Sequence, residues 1–306
     1  MSKHNRSPPI VSFPDDSFDN MKIVSKKNGF GFPYLIDTDQ EIAKEYNSVC
    51  TPDFFGYNAN LELQYRGRFD DRGSKNISNP NSIRVVTINC NGRNLNIVRE
   101  SLDFNPDIIL TQESPSPKEL RSLVGELGNN EYEVIGGWDC AIIAKGTLKK
   151  KKYPSVLFNH ATGATLTITN GTEIELLSLH LERAITRWDL WNIECWREHT
   201  QRNAERRDQL VYLLAELKKQ SSNKPIIFGG DFNSSYQSNL YEVIPEKFTN
   251  AFDEAGKGVG NTFTNYFPVI RIDHIYPSNH FSIIDSRSVK TKNSDHRMVI
   301  CDLIIN

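Results

Sequence analysis

The stretch "IIFGGDFNSS", Ile226 to Ser235, runs three apolar residues and a glycine pair directly into Asp231 and Asn233. A segment built for burial that ends in a carboxylate must open onto something polar, because an unpartnered buried charge is expensive. The same arrangement recurs along the chain. Asn89 and Asn91 follow "VVTI", Glu113 follows "IILTQ", and His180 closes "LLSLH". Asp273 and His274 sit in "RIDHI", and Asp295 and His296 in "NSDHR". Each one alone reads as a strand-ending turn. Acid, amide and imidazole groups at so many strand ends together read as one site.

The apolar runs themselves are "IRVVTI", "DIILTQ", "CAIIAK", "ATLTIT", "IELLSLHL", "PIIFGG", "IDHIYP" and "RMVICDLII". They are short, rich in β-branched residues and interleaved with helical patterns, which predicts an α/β sandwich with helices packed outside sheets. The longest helical candidate lies between Arg187 and Lys219, where Leu210, Leu213, Leu214 and Leu217 form a stripe opposite charges. A polar run, "RGSKNISNPNS" from Arg72 to Ser82, reads as a linker.

With 306 residues and a formal net charge of -2, the chain is not basic as a whole, so any contact with nucleic acid must be a local patch. Lys149 to Lys152 and Arg202, Arg206 and Arg207 are the clusters present, and solvated surface is their ordinary explanation. The five cysteines are scattered without a C-x-x-C pair and are expected as small buried hydrophobes. "MSKHNRSPPI" has no apolar leader and no run is long enough for a membrane span, so a cytoplasmic placement is expected.

From Ser82 to Asn306 the ordered set "TINCNG", "LTQES", "LSLHLE", "GGDFNS", "RIDHIY" and "NSDHR" resembles the endonuclease/exonuclease/phosphatase superfamily. That resemblance implies a four-layer α/β sandwich of two packed β-sheets with outer helices. It also implies hydrolysis of a phosphoester with a divalent cation, Mg²⁺ or Mn²⁺ in its place. Carboxylate oxygens suit such a hard cation, and in-line hydrolysis needs an oriented water and stabilisation of the developing charge.

By the same resemblance Glu113 is the principal metal ligand, with Asn89 beside it and Asp295 at the metal edge. Asp231 orients or deprotonates the water, and Asn233 donates to a phosphate oxygen. Period-2 alternation puts both on one side of a strand and Phe232 in the core. His296 binds the scissile phosphate with Asp273 fixing its ring, and either it or Asp231 serves as base. His180 matches the second histidine of the deoxyribonuclease and sphingomyelinase branches, where apurinic endonucleases carry a tyrosine. Asn91 is a further phosphate-side candidate. Arg187 and Trp188 are candidates for a substrate-contacting rim, although packing explains the tryptophans equally well.

The first 78 residues carry a different resemblance. Between Phe13 and Asp71, "FPYLIDTDQEIAKEY" and "CTPDFF" are similar to the second half of a thioredoxin-like, peroxiredoxin-related protein. Thr51-Pro52 matches that family's cis-proline position. The element with the reactive cysteine would lie upstream of Met1, which leaves Cys50 without a redox partner. An incomplete thioredoxin-like α/β fragment is therefore expected over 1–78, ahead of a hydrolase domain over 82–306.

Two classes of function fit these residues. The first is a metal-dependent phosphodiester hydrolase acting on DNA or RNA, with phospholipid diesters or small phosphomonoesters as other substrates. The second is a phosphate- or nucleic-acid-binding module with weak turnover.

Overall fold

The computed structural model describes residues 18–28, 41–45, 54–57, 63–67, 82–126, 131–153, 160–183, 193–221, 223–236, 238–266 and 270–306. The chain divides into a unit of Met1–Asp53 and a unit of Phe54–Asn306. In the first, α1 (Phe18–Asn28) and α2 (Glu41–Glu45) are described. The second opens with an antiparallel hairpin of β1 (Phe54–Tyr57) and β2 (Leu63–Gly67). Cys50 and Thr51-Pro52, on which much of the thioredoxin-like expectation rests, lie outside the described residues.

Every apolar run singled out above is a strand. In chain order the elements are β3 (Ile83–Asn89), α3 (Leu95–Leu102), β4 (Ile108–Gln112), α4 (Pro117–Glu126), β5 (Tyr132–Gly136), β6 (Ala141–Lys145) and β7 (Thr147–Lys150). Then come β8 (Ala161–Thr167), β9 (Glu173–His180), α5 (Ile193–Ser221), β10 (Ile226–Asp231), α6 (Ala251–Ala255) and β11 (Gly256–Lys257). The chain finishes with β12 (Asp273–Pro277), β13 (Phe281–Val289) and β14 (Met298–Ile305).

They form a seven-stranded sheet, β11-β13-β14-β3-β4-β6-β5, and a five-stranded sheet, β12-β10-β9-β8-β7. Alternation along each strand sorts its side chains between two cores. Val85, Leu110 and Val299 meet Ala164, Leu176 and Ile227 between the sheets. Val86, Ile88 and Ile109 turn outward onto Ile97 of α3 and Leu120 and Leu123 of α4. On the other side Leu177, Leu179 and Phe228 receive Leu210, Leu213, Leu214 and Leu217 of α5. The result is helix, sheet, sheet, helix: the expected four-layer sandwich. No described helix is long and apolar enough to cross a membrane.

Strand register places the polar ends. Asp231 on β10 pairs with His180 on parallel β9 and with Asp273 on antiparallel β12. In the facing sheet Asn89 on β3 pairs with Gln112 on β4, one residue before Glu113. Residues in one row share a face, so these groups rise from the top of the inter-sheet core. Beneath them Gln112 Nε2 donates to Ser178 Oγ at 3.1 Å, and Ser178 Oγ to the Thr111 carbonyl at 3.0 Å, tying the sheets together under the site.

Candidate active site

The glycines of "GGDFNS" lie inside β10 and answer to close packing. A Cβ on Gly230 would stand 1.8 Å from the Leu179 carbonyl oxygen, at a φ of +150° that L-residues rarely adopt. The crowding lets β9, β10 and β12 bring His180, Asp231 and Asp273 side by side.

Asp231 is buried at the centre. Its Oδ2 is 3.6 Å from His180 Nε2 and 3.8 Å from His296 Nε2, and it accepts a 3.1 Å hydrogen bond from Asn89 Nδ2. Oδ1 accepts the Asn233 backbone N–H at 2.8 Å. Burial pushes the Asp231 carboxyl above its ordinary value, and the adjacent imidazoles pull against that shift.

Each imidazole is backed by its own carboxylate. His296 Nδ1 meets Asp273 Oδ2 at 2.9 Å, and His180 Nδ1 meets Asp139 Oδ2 at 2.5 Å. For His296, burial favours the neutral ring, but the charges of Asp273 and Asp231 outweigh it and raise its pKa to about 10. For His180 burial also pulls down, and Asp139 and Asp231 turn the net shift upward. His296 therefore points a charged Nε2–H at Asp231, and His180 Nε2 faces the same carboxyl oxygen with its protonated form favoured by Asp139 and Asp231.

Glu113, just past β4, stands at the mouth with its side chain 21% exposed. Its φ of +46° is left-handed, as are Asn91 at +38° and Asn233 at +48°. Non-glycine residues held there store about 1 to 3 kcal/mol each, and such strain gathers at functional sites. Gly92 N–H donates to Glu113 Oε2 at 2.7 Å, while Asn89 Nδ2 and the mostly exposed Arg183 approach Oε1 at 3.4 and 3.3 Å.

Several expected roles change in this geometry. The alternation argument for Asn233 fails because β10 ends at Asp231. Asn233 caps Asp231 through its backbone and gives a side-chain N–H to the Leu181 carbonyl at 2.8 Å, so it holds the turn, while Phe232 does enter the core. Asn89 offers its N–H to Asp231 and Glu113, while its Oδ1 accepts the Asn91 backbone N–H at 2.9 Å. The Asn91 side chain is exposed on that loop. Asp295 is exposed beside His296 and adds to its raised pKa. His274 turns to the opposite face of β12, away from the site. Arg187 and Trp188 lie outside the described residues.

Four supporting residues escaped the sequence reading. Asp139, the partner of His180, precedes its strand β6, whereas the polar residues that stand out in the sequence follow theirs. Ser294 Oγ accepts the His296 N–H at 3.0 Å and donates to the Asn89 carbonyl at 2.8 Å, joining the two loops. Thr262 Oγ1 accepts the backbone N–H of Asp273 at 3.2 Å. Arg206, expected as solvated surface, is buried, and it donates to the Asn233 carbonyl at 2.5 Å.

The donor set suits a hard divalent cation, since carboxylate oxygens predominate. Asp231, Asp273 and His296 offer ligand atoms within 4.8 Å of one another, and Asp273 Oδ1 is buried without a hydrogen-bond partner. A cation bound there would need the His296 ring neutral, since an imidazolium has no lone pair to offer. Glu113 offers a further carboxylate, open to solvent at the mouth.

Known proteins share this architecture. An endonuclease/exonuclease/phosphatase from Bacteroides vulgatus superposes with a TM-score of 0.56 at 18% identity, covering 74% of this chain and 99% of its own. A mannosyl-6-phosphatase from Bacteroides thetaiotaomicron gives 0.56 at 17%, covering 73% and 100%. TDP2 of D. rerio, in complex with a single-strand DNA product, gives 0.55 at 18%, covering 72% and 98%. No curated protein matches the sequence. Residues 86–296 match the Endonuclease/Exonuclease/phosphatase family, and they span the site from β3 to His296. The chain belongs to this family of phosphoesterase hydrolases.

Proposed function

We propose that the chain is a divalent-metal-dependent phosphodiester hydrolase acting on nucleic acid. The observation that carries this is the convergence of two carboxylate-backed imidazoles on Asp231, with His180 Nε2 at 3.6 Å and His296 Nε2 at 3.8 Å from one oxygen. The raised pKa of Asp231 suits a base that orients and deprotonates the attacking water. The Nε2–H of His296, and that of His180 in its protonated form, would donate to phosphate oxygens as negative charge develops. Asp273 and Asp139 hold the rings charged and in one orientation. A cation such as Mg²⁺ or Mn²⁺, held by Glu113 with Asp295 at its edge, would neutralise a non-bridging oxygen. Asn89 keeps Asp231 and Glu113 in fixed relation.

Nicking of supercoiled plasmid by the full chain tests the proposal, with Mg²⁺ or Mn²⁺ compared with EDTA. Metal-dependent nicking that falls about 10³-fold in Asp231→Ala, with the fold retained, is expected. Metal-dependent turnover only of phospholipids or small phosphomonoesters would move the substrate class. No turnover of any phosphoester by a folded protein would leave a binding module.

The proposal extends to the organisation of the chain, with the hydrolase in 82–306 and a thioredoxin-like segment in 1–78. The motif "FPYLIDTDQEIAKEY" supports that division. Loss of nicking on deletion of residues 1–81 would overturn it.

A further inference from the structure

Two large aromatic side chains stand in water on the walls of the site. Trp138 is 67% exposed and immediately precedes Asp139, the partner of His180. Tyr266 is 74% exposed and follows Asn265, whose backbone N–H donates to the Asp295 carbonyl at 2.6 Å and whose side chain donates to the Ser294 carbonyl at 2.9 Å. One aromatic therefore belongs to the His180 wall and the other to the His296 wall.

Each carries a cation. The Arg93 guanidinium lies 5.8 Å from the Trp138 ring centroid, and Lys290 Nζ lies 4.3 Å from that of Tyr266. Arg93 is itself tied to the metal-side loop through its backbone N–H, which donates to the Glu113 carbonyl at 3.0 Å. Exposing an indole and a phenol to water forfeits burial, and a cation–π contact on an exposed ring returns only about 0.5 to 1 kcal/mol. A ligand that covers the rings would recover the rest.

We infer that Trp138 and Tyr266 are stacking platforms for unpaired bases on either side of the scissile phosphate, so that the substrate is a single-stranded nucleic acid. The inference rests on the hydrolase reading and deepens it. A polymer with one phosphate and one planar ring per repeat matches two aromatic–cation pairs flanking a phosphate site. A compact phosphomonoester or a lipid headgroup does not call for two separated π-faces. Bases locked in a duplex offer no free face for stacking, whereas single strands do. Arg93 and Lys290 set a cation beside each ring, on a chain whose net charge is -2.

The test is equilibrium binding by the full chain in EDTA, read as fluorescence anisotropy, which needs no turnover. A labelled single-stranded oligodeoxynucleotide is compared with an abasic backbone of the same length. The protein should favour the base-bearing strand by about 10-fold or more. Trp138→Ala and Tyr266→Ala should each lower that preference roughly 5-fold or more without changing the salt dependence, and Trp138→Phe should retain most of it. Both positions are exposed, so the substitutions leave the core intact.

Equal affinity for the two strands overturns the inference, as does a preference that survives in both alanine variants or tighter binding to anionic vesicles than to either oligonucleotide. Failure of the hydrolase reading would be seen separately, as absence of metal-dependent cleavage of any phosphoester.

Discussion

Asp273 and His274 are consecutive on β12, yet they serve opposite faces of its sheet. On the site face Asp273 holds His296, whose pKa is raised to about 10. On the other face His274 packs against Phe232 and Tyr241, and its pKa is lowered to about 3. Both imidazoles are buried, so burial alone explains only His274; the nearby Arg271 lowers it further. The partners make the difference. The Tyr241 hydroxyl donates to the Ser234 carbonyl at 2.7 Å, so it must accept the His274 Nε2 proton at 3.0 Å. Nδ1 then accepts from Asn250 Nδ2, also at 3.0 Å. Neutral partners fix a neutral ring, whereas carboxylates keep His296 charged.

If the two faces divide the work in this way, site-face variants should slow the reaction and back-face variants should weaken the fold. Asp273→Asn is expected to slow hydrolysis about 10²-fold and to bring the His296 titration, followed by NMR, down from about 10 toward the ordinary 6.5. An unchanged His296 titration would break the comparison. His274→Phe should lower unfolding free energy by about 2 kcal/mol, since it strands the Tyr241 and Asn250 groups. Its rate at 25 °C should stay within a few-fold, measured on the folded fraction.

The same contrast has a sign in pH. A raised pKa means that the folded state binds its proton more tightly. The stability contributed by charged His296 is therefore complete below 6.5 and is lost as pH rises through about 10. Urea unfolding of the protein should show this decline, and Asp273→Asn should flatten it. His274 titrates far below this window and adds no slope there. The smallest effect is expected from Arg206→Gln. Removing a buried positive charge near Asp231 should cost several-fold in rate and move the acid limb of the pH–rate profile upward.

The strands and the heart of the site were legible because burial on both faces writes continuous apolar runs, and a polar residue at their end stands out. Glu113, His180, Asp231, Asp273 and His296 stood out in this way, and the structure brings them together. β5, β7, β11 and β13 were not legible; in β13, "FSIIDSRSV" buries Asp285, Ser286 and Ser288 while Ile284 is exposed, so it offers no apolar block. Asp139 was hidden by direction: β6 runs antiparallel to β4, so its beginning meets the site. Asn233 was misread because nothing in "GGDFNS" says whether β10 stops at Asp231 or continues. Arg206 looked solvated beside Arg207, and only the packing of α5 over the Asn233 turn buries it.

The placement of β14 bears on how the molecule comes into being. It lies inside the seven-stranded sheet between β13 and β3, pairing Leu303 with Ile83 across more than two hundred residues of chain. So distant a pairing forms late, after the loop-closure entropy of the intervening chain has been met. His296 immediately precedes that strand. On the ribosome, Glu113, His180 and Asp231 all emerge before the segment that carries His296, and the site cannot be assembled until that segment docks.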